Sequence, residues 1–274
     1  MWVKRKSKLQ TKQTTMILPK ITNKQQEILL LLYQFRFLNR IQIQALLNHK
    51  DYKTINSWLK DLNQKEYINR IYSNKAGDNM KPAIYYISLN GIRHLRSLEL
   101  PSTQLRKLVR EKEKSEHFIS KHILIADIWL DFQSKSDDKV KYAAATSSDI
   151  NDPDYKFNFL AELGPDMVFA KISKDIKKYH LLEIFEPTLP LYSVRKKIRN
   201  YIDFYFSNSW EDNTGEEFPT LLFICPTTSM LICSKRFAKK MLNEYDNETG
   251  IKIQFTTESN IKCNSVVGNI WEQI

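Results

Sequence analysis

The sequence predicts a two-part protein of mixed helix and strand, α+β overall: a small N-terminal unit of short helices and a hairpin, then an α/β unit built on a mixed sheet. Three observations predict it. A chain of 274 residues is too long for one small module and suits two domains. The hydrophobic period is helical up to about residue 62, strand-like between 67 and 87, and then passes from one long helix to short strands alternating with helices. The net charge of +11 is unevenly divided. Residues 1–110 hold 21 Lys+Arg and 6 Asp+Glu, a net of +15, whereas residues 111–274 hold 21 and 25, a net of −4. The positive excess of the first part predicts a polyanionic partner for it.

Several classes fall away on composition. Apolar residues make up 42% of the chain, enough for real cores. The longest apolar run, Ile28 to Tyr33, is far short of the ~20 residues of a membrane helix, so no membrane association is expected. Residues 1–20 form a basic tail without the apolar stretch of a signal peptide. Cys225, Cys233 and Cys263 are an odd, sparse set, which predicts a reducing cytoplasm rather than a disulfide framework. None of the six glycines forms a phosphate-cradling motif.

The first unit is expected over residues 21–100. Thr22 with Gln25 reads as a capping box, followed by Ile28, Leu29, Leu32 and Phe35 at helical spacing. Asn39 caps a short helix carrying Ile41, Ala45 and Leu46. After a polar break at 48–52, a third helix turns Ile55, Trp58, Leu59 and Leu62 inward. Tyr67–Tyr72 and Ala83–Ile87 alternate as the strands of a hairpin, and Asn90-Gly91 opens a helix carrying Ile92, Leu95 and Leu98. Three helices, a hairpin and a closing helix is the order of a winged helix-turn-helix. In that order the third helix enters the DNA major groove and the hairpin lies on the backbone. The outward residues of the third helix would be Lys53, Thr54, Asn56, Ser57 and Lys60, types that donate to base edges and phosphates; Arg70, Lys75 and Lys81 would be the phosphate contacts of the wing. Any one of these lysines alone reads equally well as an ordinary solvated side chain. Element order and charge excess together favour double-stranded DNA as the partner.

The second unit is expected over residues 111–274, after a linker or helix start at 101–110. A long helix from Glu111 to Phe132 gathers Phe118, Ile119, His122, Ile125, Ala126 and Trp129 near one face. Val140–Ala145 is a strand, and 147–160 an irregular excursion. Strands at 165–170 and 180–185, a helix at 191–206 with Val194, Ile198, Tyr201, Ile202 and Tyr205 inward, a strand at 220–225, a helix at 235–245 and a strand at 251–255 complete a mixed sheet flanked by helices.

If Lys174-Asp175 is a two-residue turn, Ser173 pairs with Ile176 and Asp166 falls opposite Glu183 on one face of the sheet, with side-chain roots ~5 Å apart. Two carboxylates so placed need a cation, a basic neighbour, or a proton held at raised pKa. Magnesium suits such hard oxygen ligands.

Leu-Gly-Pro-Asp166, Leu-Leu-Glu183 and the helix with Lys197-Ile-Arg-Asn-Tyr201, in that order, resemble the core of the PD-(D/E)xK nucleases, and the chain over most of residues 22–256 resembles the replication-relaxation proteins of plasmids and other mobile elements. His122 with Asp127 resembles the helix that precedes the sheet in that family. The resemblance implies a winged helix followed by a restriction-endonuclease-like mixed sheet. It also implies replication or conjugation proteins as partners. In an active member, Asp166 and Glu183 would hold magnesium, and Lys197 would assist the attacking water. The active pattern has lysine two residues after the glutamate. Here that position is Phe185, and Lys197 is the nearest substitute. Glu162, Asp127 or Glu116 would have to complete a metal site, with Glu186 badly placed on the opposite strand face. The missing lysine favours a DNA-binding protein with a degenerate nuclease-like domain used for assembly and no cofactor. The alternatives are a magnesium-dependent nuclease, and a repressor whose C-terminal domain pairs with a second copy. The five histidines show no zinc spacing, and neither a serine elbow nor a tyrosine beside a histidine cluster is present.

Overall fold

The computed structural model describes residues 18–72, 81–174, 176–245 and 250–274. The chain is a mixed α/β protein. Its first helix, α1 (Asn23–Phe35), opens on the expected capping box: Thr22 accepts from the Gln25 amide and Gln25 accepts from the Thr22 amide. Ile28, Leu29, Leu32 and Phe35 are buried. A two-residue strand, β1 (Leu38–Asn39), precedes α2 (Arg40–Leu46), where Asn39 and Gln42 form a second capping box. The inward face of α2 is Gln42 and Ile43, whereas Ile41 and Ala45 face solvent. Asp51 caps α3 (Tyr52–Gln64), whose buried face is Ile55, Leu59 and Leu62, with Trp58 half-buried.

The hairpin pairs β2 (Ile68–Ile71) with β3 (Ile84–Ile87) antiparallel, and β1 adds to the other edge of β3, a third strand too short to show a period. Next is α4 (Leu89–Ser97), capped by Ser88. A methyl group on Gly91 would collide with the Tyr67 carbonyl, so glycine lets α4 close against the hairpin. The stretch expected as a linker or a helix start is α5 (Ser102–Lys107) and a 3-10 segment at Leu108–Glu113, helical but separate from the long helix, with Leu105, Leu108 and Glu111 buried. The long helix α6 (Glu116–Lys135) therefore starts five residues later than expected, on a Ser115 cap, because Glu111 is drawn inward to pair with Arg36.

The large sheet has the order β4-β5-β6-β7-β8-β9. Between β4 (Val140–Thr146) and β5 (Met167–Ser173) lie the short helix α7 (Ser147–Ile150) and turns. β5 and β6 (Ile176–Ile184) pair antiparallel in the expected register, Ser173 opposite Ile176, across a turn in which Lys174 has φ +49°; Asp175 lies outside the described residues. From β6 the chain runs through α8 (Leu191–Phe206) and α9 (Ser209–Thr214) to β7 (Thr220–Cys225), then through α10 (Thr228–Glu244) to β8 (Ile253–Thr257), both parallel to β6. The short helix α11 (Glu258–Cys263) and an antiparallel edge strand, β9 (Glu272–Gln273), close the chain. α10 begins seven residues before the expected start because Thr227 caps it there, and β8 is shifted two residues along.

One core joins α1, α3, α4 and α5 to α6 and to one face of the large sheet, through residues such as Leu29, Leu59, Leu95, Ile125, Met167 and Ile184. The other face is buried under α8 and α10. Polar bonds reinforce the first contact. Arg36 grips Glu111 at 2.6 and 2.9 Å, and Gln42 donates to Asp127 at 2.6 Å and to the Ile123 carbonyl at 2.9 Å. Each large side chain shared across that contact contributes ~1.5–3 kcal/mol, so cutting the chain near residue 100 would strip the sheet of its cover. Among the described residues no helix is long and apolar enough to cross a membrane.

Candidate functional site

Two charged regions draw on the residues singled out in the sequence. The first lies where β5 and β6 meet α8. One step beyond the Met167–Leu182 pair, the Asp166 amide donates to the Leu182 carbonyl at 3.0 Å and its carbonyl accepts from the Ser147 amide at 3.0 Å, so the backbone there is fixed on both sides. Alternation then turns Asp166 and Glu183 toward the α8 side, with Val168, Leu181 and Phe185.

Each carboxylate is held twice. Asp166 Oδ2 accepts from the Ile184 amide at 2.8 Å, and Oδ1 lies 2.8 Å from Lys121 Nζ. Glu183 Oε2 accepts from the Tyr201 hydroxyl at 2.8 Å and lies 3.3 Å from Lys197 Nζ. Lys197 also donates to the carbonyls of Leu163 and Gly164, at 3.1 and 3.0 Å. Gly164 sits at φ +62°, a conformation glycine adopts without steric cost, and the turn it makes presents those carbonyls. Lys121 comes from α6, whose apolar face joins the other core, so it reaches Asp166 from across the sheet.

Burial sets the electrostatics. It raises the Glu183 pKa, aided by the charge of Asp166; Lys121, Lys197 and the Tyr201 hydroxyl act against that rise. Burial opposes the Lys121 ammonium, but the charges of Asp166 and Glu183 outweigh it, and its pKa is raised. Burial, with Glu183 alongside, lifts Tyr201 well above the ordinary phenol value, so it remains a hydrogen-bond donor. Two anions and two cations leave no net charge when all four are ionised.

The sheet thus brings Asp166, Glu183 and Lys197 together. It does not bring a third carboxylate. Asp127 is committed to Gln42, and Glu116 and Glu162 are exposed. Among the described residues no group of three or more His, Cys, Asp and Glu side chains could hold a metal ion. The Lys121 ammonium, 2.8 Å from Asp166 Oδ1, already supplies the cation beside that carboxylate. The residues present therefore do not fit the magnesium that the nuclease resemblance implies, and no step is routed through it. Phe185 stacks on Phe223 with ring centres 5.6 Å apart, as core. His122 is also a core residue: its Nδ1 meets the Phe118 carbonyl at 2.9 Å, and burial first, then Arg36, pushes its pKa down to about 4.

Sequence reasoning missed Lys121 as the partner of Asp166 and Tyr201 as a donor to Glu183. Tyr201 was visible as an inward position of α8. Lys121 carried only the weak signal of a lysine bordering the apolar face of a helix.

The second region is the outer side of α3 and the hairpin. Lys53, Asn56, Ser57 and Lys60 are exposed, and among the described residues neither Lys53 nor Lys60 has a carboxylate partner. Thr54 differs from expectation. It is half-buried, and its hydroxyl is spent on Asp51 Oδ2 at 2.6 Å, part of the cap that starts α3. Arg70 is exposed on β2, 5.9 Å from the Tyr72 ring, and Lys81 is exposed just before β3; Lys75 lies outside the described residues. Asn56, Lys60, Asn63, Gln64, Arg70 and Tyr85 line a cleft of about 410 Å³ between α3 and the hairpin.

A helical N-terminal unit packed on a six-stranded mixed sheet, with a charge cluster closed between β5, β6, α6 and α8, defines a mixed α/β protein. A family model described as Replication-relaxation matches residues 29–220, from α1 to the start of β7, more than two-thirds of the chain. The chain belongs to the replication-relaxation family. No curated protein and no solved structure matches it.

Proposed function

We propose that the chain binds the double-stranded DNA of a plasmid or other mobile element, using the N-terminal unit as a winged helix, and that its nuclease-like sheet is a scaffold for assembly rather than a hydrolase. The carrying observation is the exposed row of Lys53, Asn56, Ser57 and Lys60 on α3, whose lysines have no carboxylate partner among the described residues, beside Arg70, in the part of the chain that holds a net +15. A helix with short donors flanked by lysines suits base edges and phosphates of a major groove. The hairpin with Arg70 and Lys81 suits the adjacent backbone, as in winged helices. Family membership adds replication or transfer of a mobile element as the setting.

The scaffold reading rests on the closed charge balance of Lys121, Asp166, Glu183 and Lys197. Hydrolysis needs a group free to bind metal or activate water, and both carboxylates here are already engaged. The test is incubation of the full chain with supercoiled plasmid and magnesium. The plasmid is expected to shift in a gel as a complex and to remain supercoiled after the protein is removed. Nicking that disappears in Asp166→Asn and Glu183→Gln would overturn the scaffold reading and restore the nuclease one.

A further inference from the structure

The second half of the chain is acidic in total, yet two of its helices are not. α8 carries Arg195, Lys196, Lys197 and Arg199 against Asp203 alone, and α10 carries Lys235, Arg236, Lys239 and Lys240 against Glu244 alone. Lys197 is spent on Glu183 and Lys235 on Glu272. The remaining cations are exposed. Arg195, Arg199, Arg236 and Lys240 line a groove of about 440 Å³ between the two helices, floored by Phe237 and Met241. Among the described residues no carboxylate pairs with the three arginines, and the one acid in the groove, Glu244, touches Lys240 only at 3.9 Å.

The geometry is ordered. The Arg195 and Arg199 guanidiniums lie 5.8 and 5.9 Å from the centre of the same Phe237 ring, and the two residues are four apart, one helical turn along α8. One turn is ~5–6 Å. Arg236 and Lys240 repeat that interval on α10. Past this double row, at the C-terminal ends of both helices, Phe206 and Tyr245 pack ring to ring with centroids 4.3 Å apart. They are 41% and 42% exposed, so an aromatic surface remains open to solvent. From Arg195 to Phe206 the helix spans about 16 Å, room for a few nucleotides. A row of exposed cations, of which the three arginines have no carboxylate partner among the described residues, leading to an exposed aromatic platform is an arrangement that suits single strands. The phosphates meet the charges, and unpaired bases stack on the rings. A duplex hides its base faces and leaves the aromatic pair unused.

We propose that the groove between α8 and α10 binds single-stranded nucleic acid. α8 and α10 cover one face of the large sheet, and the N-terminal unit packs on the other. The groove is thus a separate site from the α3 surface and stands whether or not that surface reads a duplex. With both occupied, the protein would hold a duplex and a single strand at once, on opposite sides of its sheet.

The test is fluorescence anisotropy of the full chain with labelled dT20 and, separately, a 20-base-pair duplex. The triple variant Arg195→Gln/Arg199→Gln/Arg236→Gln changes only exposed side chains. It is expected to bind dT20 at least 10-fold more weakly and to lower the log–log salt slope by about 2, at ~0.7 per charge on a single strand. Its duplex affinity should stay within 2-fold. Phe206→Ala/Tyr245→Ala should weaken dT20 binding and leave duplex binding unchanged. Location is read from alkylation of half-buried Cys233 in the groove, which saturating dT20 should slow, against exposed Cys263, which it should not. Unchanged dT20 affinity in the triple variant would overturn the proposal. So would a parallel loss of duplex and dT20 binding, or protection of Cys233 by inorganic tripolyphosphate as strong as that by dT20.

Discussion

The α3 surface and the sheet cluster use the same residue types to opposite ends. On α3, Lys53 and Lys60 stand in water with no carboxylate partner among the described residues. Between β5, β6 and α8, Lys121 and Lys197 are drawn in and matched one to one with Asp166 and Glu183. A solvated, unmatched cation keeps its field available to a partner. A desolvated, matched one spends it internally, where the cost of leaving water offsets most of what the pairing supplies. A count of charges along the chain cannot separate the two. Burial and partnership can, and they divide this molecule into surfaces that are able to attract a polyanion and a cluster that is not.

The strongest way to break the comparison is to unmatch the cluster. Lys121→Met leaves Asp166 without its cation in a nearly dry site and should cost about 3–5 kcal/mol, read from chemical denaturation. Lys121→Met/Asp166→Leu should recover much of that loss, because the uncompensated charge goes with its partner. A single variant as stable as the parent would mean the pair is idle. His122 comes next. Its pKa is pushed down to about 4 from an ordinary 6.5, so the folded chain keeps it neutral where the unfolded chain is charged. That stability is complete above pH 6.5 and is lost as pH falls toward 4, by up to ~3 kcal/mol. His122→Gln should flatten that limb of a stability-against-pH curve; an unchanged acid limb would count against it.

Glu183 sharpens the comparison with the opposite sign. A carboxyl with raised pKa holds its proton in the folded chain after the unfolded chain has lost it. Stability therefore falls as pH rises from the ordinary value of 4.5 toward the raised one. Glu183→Gln should remove this fall and keep an acceptor for Tyr201. Because His122 acts in the opposite sense over the same interval, the fall is read in His122→Gln, and a curve of that variant that climbs there would contradict the raised value. The smallest effect is expected at the far end of the molecule, where Thr22→Ala should cost about 1 kcal/mol by removing one half of the α1 capping box, with the sheet cluster unaffected.

What was legible in the sequence is what depends on near neighbours. The capping box at Thr22 and Gln25, the cap at Asn39, the bounds of α8 and β7, and the Ser173–Ile176 register all follow from residues a few positions apart. So the approach of Asp166 to Glu183, and of Lys197 to Glu183, could be reasoned from one turn and one helical period. Lys121 could not, because 45 residues and a strand order separate it from Asp166. Long-range packing also moved the start of α6, where Glu111 left the helix for Arg36, and made the stretch read as a linker or helix start a partly buried helical connection. Strands as short as β1 and β9 have no period to read, and they exist only because a neighbouring strand offers an edge.

The shared core between the N-terminal unit and the sheet makes truncation a poor test of DNA binding, since the remainder would lose its cover. Point changes on the exposed row are cleaner. The most direct measurement is the affinity of the full chain for duplex DNA as a function of salt, compared with Lys53→Ala/Lys60→Ala/Arg70→Ala. Three phosphate contacts removed should lower the log–log slope by about 2.7, at ~0.9 per contact, with a large loss of affinity at low salt. A variant whose slope and affinity match those of the parent would contradict the placement of duplex binding on α3 and its hairpin.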